Sequence, residues 1–260
     1  MRRLLIAGNW KSNCGRVEAS NLMTAVNEGL HQLKPDVDVL IFPAYTSIAE
    51  AQVLCTELQY GAQNCSSFES GAFTGEIAAE MLASFGCSAV IVGHSERRQI
   101  FAEDDEALAA KARRAIDAGL SVVFCVGESL QQRDSGEAKA VCCAQVSVLM
   151  SVLDQMEVAD LVAKGRVVVA YEPVWAIGTG KTASAEDAQD MHAALRAEIA
   201  GSLGDEAEKI QILYGGSVKS ANADQLFQQA DIDGALIGGA SLDANEFVEI
   251  VRIADALVKG

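Results

Sequence analysis

The chain lacks any apolar run long enough to cross a bilayer. It has no CxxC pair and no Cys/His spacing of the kind that ligates a metal, and its cysteines, at 14, 55, 65, 87, 125, 142 and 143, make an odd number. Neither a disulfide framework nor a metal centre therefore organises it, and reduced thiols of a cytosolic protein are the expectation. It is also short of positive charge. With a formal net charge of −16, it is expected to take neither nucleic acid nor an anionic membrane surface as a partner. An anionic substrate would have to be captured by local cations against an unfavourable overall field. Arg2-Arg3 ahead of Leu4–Ala7 looks superficially like the start of a signal sequence. That apolar run is too short, however, and it leads into Asn9-Trp10-Lys11 without a cleavage site. A soluble, cytoplasmic protein is expected. No linker or low-complexity tract divides the chain, which reads as one domain over residues 1–260.

What the chain does have is apolar material, half of its 260 residues, enough for a large core. Short apolar runs alternate with helical patterns along its whole length. Strands are predicted at 4–9, 37–42, 59–64, 89–93, 121–126, 167–171, 211–214 and 234–237. Helices are predicted at 17–33, 48–58, 78–85, 104–118, 138–153, 185–203, 223–229 and 244–258. Eight βα units at about 30-residue spacing predict a closed, parallel, eight-stranded (β/α)8 barrel. An open doubly wound sheet is the runner-up, and no G-x-G-x-x-G closes the first strand to support it.

In such a barrel the chemistry belongs at the C-terminal ends of the strands. The first ends in Asn9 and Lys11, which a period of two points the same way, into the mouth. The third opens a loop, Cys65 to Glu76, that carries Phe68 and Phe73. The fourth ends in Gly93-His94-Ser95-Glu96-Arg97-Arg98, and the fifth in Gly127-Glu128. The seventh ends in Tyr214-Gly215-Gly216-Ser217, and the eighth in Ile237-Gly238-Gly239-Ala240. Two glycine pairs on adjacent strand ends, each followed by a helix, suggest a cradle of backbone amides for a phosphate.

The sixth strand leads into Ala170–Lys181, the stretch around which the rest is arranged. Glu172 stands at the exit of a buried strand, and Pro173 after it keeps it extended. Small residues and two glycines follow, as in a mobile lid with a carboxylate at its base. Gly180-Lys181-Thr182 invites a phosphate-loop reading, but that motif needs a glycine where Trp175 stands.

Taken alone, Lys11 reads as a solvated lysine. Its place at the end of an apolar strand makes it a candidate cation for a phosphorylated substrate. His94 begins a helical turn, whose dipole disfavours the imidazolium, so a neutral imidazole could donate to a carbonyl oxygen. His31 and His192 lie in helical stretches and read as surface residues, and Glu128 as a plain rim carboxylate. Exclusion of water by the lid is expected to raise the basicity of Glu172. A base, a neutral electrophile, a cation and a phosphate cradle, without metal ligands, describe proton abstraction beside a carbonyl in a small phosphorylated substrate.

These motifs together (Gly8–Lys11, Gly93–Arg98, Ala170–Lys181, Tyr214–Ser217 and Leu236–Ala240) resemble those of the triosephosphate isomerases over essentially the whole chain. The resemblance implies a TIM barrel that interconverts dihydroxyacetone phosphate and D-glyceraldehyde 3-phosphate through an enediolate, in glycolysis and gluconeogenesis, with no cofactor. It implies Glu172 as the proton carrier, His94 as the carbonyl-polarising imidazole, Lys11 as the cation and Asn9 as an orienting group. Glu96 would position Lys11, while Gly178, Ser217, Gly238 and Gly239 would present amides to the phosphate. It implies a homodimer in which the Cys65–Glu76 loop packs beside Cys14 of the partner, and the two aromatics of that loop need such cover. Cys14 itself is not carried over from the family pattern. Two rivals stand beside this reading: a class I aldolase-like barrel, which needs a strand lysine for a Schiff base, and an inactive phosphate-binding paralogue.

Overall fold

Strands form where short runs of β-branched and small apolar residues are buried on both faces. They are β1 (Leu5–Asn9), β2 (Asp38–Phe42), β3 (Gln59–Ala62), β4 (Ala89–Val92), β5 (Ser121–Val126), β6 (Val167–Tyr171), β7 (Gln211–Tyr214) and β8 (Gly234–Ile237). The structure is a computed structural model and describes residues 2–154, 156–176 and 183–259. Each strand pairs in parallel with the next in chain order, and β8 returns to β1 with Leu5 opposite Gly234, so the sheet closes into a barrel. Closure excludes the open doubly wound alternative.

Side chains alternate between two cores. Inside the barrel lie Leu5, Ala7, Leu40, Phe42, Ala89, Ile91, Val123, Cys125, Val168, Ala170, Leu213 and Leu236. This is a packed interior rather than a pore. The intervening residues, such as Ile6, Ile41, Val90, Phe124, Val169 and Ile212, face outward onto the helices.

Helices α1 (Arg16–Leu33), α2 (Ile48–Leu54), α3 (Ala79–Ser84), α4 (Ser95–Ile100), α5 (Asp105–Asp117), α6 (Leu130–Asp134), α7 (Ala138–Ser151), α8 (Val158–Ala163), α9 (Ala185–Leu203), α10 (Ser220–Phe227) and α11 (Ala244–Lys259) form the outer layer. Several start on side-chain caps: Asp104 Oδ1 accepts from the N–H of Ala107 at 2.9 Å, and Ser184 Oγ from that of Asp187 at 3.0 Å. The short α4, α6 and α8 lie outside the expected helices, being too brief to show a period. Helix α10 begins three residues earlier than expected, because Asn222 Oδ1 accepts the Lys219 N–H at 2.8 Å and starts the helix at Ser220. None of the described helices is long and apolar enough to cross a membrane.

Candidate active site

The C-terminal ends of the strands surround a cleft of about 680 Å³, lined by Asn9, Lys11, His94, Glu172 and the segments after β7 and β8. Glu172 is almost completely buried. Its backbone N–H donates to Val126 O at 2.7 Å, and two glycines press on it. A Cβ on Gly127 would stand 2.0 Å from Glu172 O, and one on Gly215 would stand 2.9 Å from Glu172 Cγ. Only glycine allows the backbones to approach so closely.

Both carboxylate oxygens of Glu172 are engaged. Oε2 accepts from the Ser95 N–H at 2.8 Å, and Oε1 lies 2.9 Å from His94 Nε2. His94 caps α4, where its Nδ1 accepts the Glu96 N–H at 3.2 Å. That bond places the ring proton on Nε2, so the imidazole donates to Glu172 and is neutral in this arrangement.

Burial opposes ionisation of Glu172, but His94, the Ser95 amide and Lys11 outweigh it and hold the carboxyl below its ordinary range. The expected rise in basicity is therefore not in place while these donors are engaged. For His94 burial opposes the imidazolium, yet the Glu172 carboxylate outweighs burial and raises its affinity for a proton. This corrects the expectation built on the helix terminus alone. The two shifts share one cause, the contact between the pair, and both relax when Glu172 turns away.

Lys11 reaches the cleft by a route the strand period does not describe. Strand β1 ends at Asn9, and Lys11 has φ = 49°, in the left-handed region. Its N–H donates to Asn9 Oδ1 at 3.0 Å. A one-residue reversal, rather than alternation along a strand, brings both side chains to the same cavity. Lys11 Nζ donates to Glu96 Oε1 at 2.6 Å, so Glu96 holds the ammonium from beside the cleft. A Cβ on Gly238 would lie 3.5 Å from Lys11 Cε, which puts the ammonium arm over the loop after β8. Ser217, Gly238 and Gly239 line the same cavity. The N–H groups of Gly216, Ser217, Gly238 and Gly239 have no acceptor among the described residues. Gly178, with the rest of the expected lid tip at 177–182, lies outside the described residues.

Glu128 is not a rim carboxylate. It is fully buried and accepts from Tyr171 Oη at 3.0 Å, Trp175 Nε1 at 2.8 Å and Cys142 Sγ at 3.5 Å. Arg133 lies over the Trp175 ring, 4.5 Å from its centroid, and reaches Asp187 Oδ1 at 2.9 Å. Glu128 and Arg133 thus fasten the chain on both sides of the 177–182 segment, a role no local motif announced. His192 is also not a surface residue. It is wholly buried between the rings of Tyr171 and Tyr214, with Nδ1 donating to Asp231 O at 3.1 Å. Its helix is covered on that side by β7 and by Asp231 ahead of β8, which a periodic pattern in α9 alone does not reveal. Burial pushes its pKa down to about 4. His31 is exposed, as expected.

None of the eight strands carries a lysine. The buried Lys111 stands on α5, bound to Glu103 and Asn64, so no strand lysine is available for a Schiff base.

The chain matches the triosephosphate isomerase family model over residues 4–254. A triosephosphate isomerase of Hahella chejuensis is 51% identical over 98% of this chain and 99% of that protein. One of Magnetococcus marinus is 49% identical over 96% of this chain and 98% of its own. One of Marinobacter nauticus is 48% identical over 97% and 98%, respectively.

Proposed function

The chain belongs to the triosephosphate isomerase family, and we infer that Glu172 carries the proton between the two carbons of its substrate. The reaction is the interconversion of dihydroxyacetone phosphate and D-glyceraldehyde 3-phosphate, a step of glycolysis. The observation that carries the assignment is the 2.9 Å contact of Glu172 with His94 in one cleft with Lys11 and the free amides.

The amides of Ser217, Gly238 and Gly239, and by resemblance that of Gly178, hold the phosphate. Phosphate on this side points the three-carbon chain toward His94, Lys11 and Asn9. Glu172 then gives up the Ser95 and His94 donors and takes a proton from the carbon beside the carbonyl. The negative charge that develops on the oxygens meets the Nε2–H of His94 and the Lys11 ammonium. His94 gives its Nε2 proton to the former carbonyl oxygen and takes back the proton of the neighbouring hydroxyl, while Glu172 returns its proton to the neighbouring carbon, so no atom is gained or lost. Leaving its donors also removes what depresses its pKa, which raises basicity at the moment a base is needed.

The enzyme acts as one catalytic domain in the cytoplasm, in keeping with seven free cysteines, and takes no cofactor. It works as a homodimer joined through the Cys65–Glu76 loop. Support for this comes from Phe68 and Phe73, which stack at 4.2 Å yet stay half exposed, and from Phe85, Ile100 and Phe101, which are exposed as well. A coupled isomerisation assay with a chelator present tests the activity, which is expected to persist undiminished. Light scattering tests the assembly. A mass of twice 27.4 kDa is expected, falling toward one chain in Phe68→Glu, and a monomeric parent would refute the dimer.

A further inference from the structure

In a chain of net charge −16, nearly every cation is already spent on a carboxylate. Among the described lysines and arginines, only Lys34, Arg166 and Lys219 have no carboxylate oxygen within 4.0 Å. Of these three, only Lys219 lines the cleft. Lys11, which also lines the cleft, has its charge engaged by Glu96 at 2.6 Å. Two further carboxylates, Asp243 and Glu246, line the same cavity on the side of the amide cradle. Both are bound to neutral donors. Asp243 accepts from the N–H groups of Asn245 and Glu246, and Glu246 from the N–H and hydroxyl of Ser220. Their charge therefore stands uncompensated at the place where a phosphate must arrive.

Lys219 is exposed, but its backbone is fixed. Asn222 accepts its N–H at 2.8 Å and donates to Ser217 O at 3.1 Å, tying the lysine and the cradle serine to one side chain at the start of α10. We propose that Lys219 is a capture residue for the dianionic substrate: a free cation at the cleft mouth that draws the phosphate past Asp243 and Glu246 and onto the amide cradle. The role rests on the phosphate-cradle reading given above. It acts on arrival and affinity rather than on proton transfer, which stays with Glu172 and His94.

A solvent-exposed unit charge acting on a dianion across the cleft should change capture about fivefold at low ionic strength, and lose its effect when the screening length falls to about 3 Å in 1 M salt. The experiment measures kcat and kcat/KM for glyceraldehyde 3-phosphate, and competitive inhibition by inorganic phosphate, at ionic strengths from 0.05 M to 1 M. It compares the parent with Lys219→Gln, Lys219→Glu and Lys219→Arg, with thermal melts to confirm folding. For Lys219→Gln, kcat/KM is expected to fall about fivefold at low salt with kcat within twofold, and phosphate inhibition to weaken in step. Lys219→Glu should fall by on the order of twentyfold, Lys219→Arg should restore the parent, and all four should converge at 1 M. Parental kcat/KM and an unchanged salt dependence in Lys219→Gln and Lys219→Glu would overturn the proposal. Failure of phosphate to compete in the parent itself would overturn the cradle first, and this role with it.

Discussion

Replacing Gly127 by alanine puts the positioning of the base under a graded strain. The added methyl carbon would lie 2.0 Å from the carbonyl oxygen of Glu172 and 3.0 Å from its carbonyl carbon. Non-bonded carbon and oxygen do not approach within 3 Å, so one backbone must retreat by about 1 Å or more. Gly127 is poorly placed to do so, because Gln145 grips both of its polar groups: the N–H donates to Gln145 Oε1 at 2.8 Å, and Gln145 Nε2 donates to the carbonyl at 3.2 Å. Glu172 must therefore yield, breaking or stretching its 2.7 Å bond to Val126 O. A displacement of about 1 Å in a catalytic group costs roughly 10²-fold in rate, and overpacking of this size costs about 1–3 kcal/mol of stability. The assay is steady-state turnover in both directions, accompanied by thermal melts and phosphate inhibition. The expected result is kcat lowered about 10²-fold, a modestly lower Tm and phosphate inhibition within threefold of the parent. A folded variant that turned over within threefold of the parent would refute the claim that backbone contact at Gly127 sets the position of the base.

His192 should make the barrel acid-sensitive. Its folded pKa is lowered to about 4 by burial, against an ordinary value near 6.5. The unfolded chain therefore binds a proton between those values that the folded chain refuses, and stability falls as pH drops from about 6.5 to about 4, by on the order of 3 kcal/mol. Denaturation curves of the parent and His192→Asn should diverge over that window, with the asparagine variant the flatter. Parallel curves would refute the assignment. Lys11→Met should leave the fold intact but weaken inhibition by inorganic phosphate at least tenfold, since the variant loses the cation over Gly238. Parental inhibition in that variant would remove Lys11 from the phosphate site.

The barrel was legible because every β strand carries its own apolar run and glycine or proline marks most strand ends, so eight repeats could be counted without long-range information. The base, the imidazole and the cation were legible for the same reason: each sits at a strand end within a distinctive local motif. Less accessible were features that exist only between distant segments. Glu128 looks like any polar strand-end residue until Tyr171 of β6, Trp175 of the turn after it and Cys142 of α7 converge on it. His192 reads as a helix-surface residue until β7 and Asp231 close over it. The electrostatics of the site were also only half visible. The helix turn at His94 could be read locally, but the opposing influence of Glu172, 78 residues farther along the chain, could not. Lys11 and Asn9 reach one cavity as expected, though by a left-handed turn and not by strand alternation.

Whether Glu172 itself moves the proton is decided by Glu172→Asp. The shorter side chain keeps the charge and withdraws the carboxylate from the substrate carbon by about 1 Å, leaving His94, Lys11 and the amide cradle in place. In that variant kcat should fall by on the order of 10²-fold, with phosphate inhibition unchanged and a full primary isotope effect on a substrate deuterated at the reacting carbon. Turnover within twofold of the parent, in a variant that folds and binds phosphate normally, would contradict that role for Glu172.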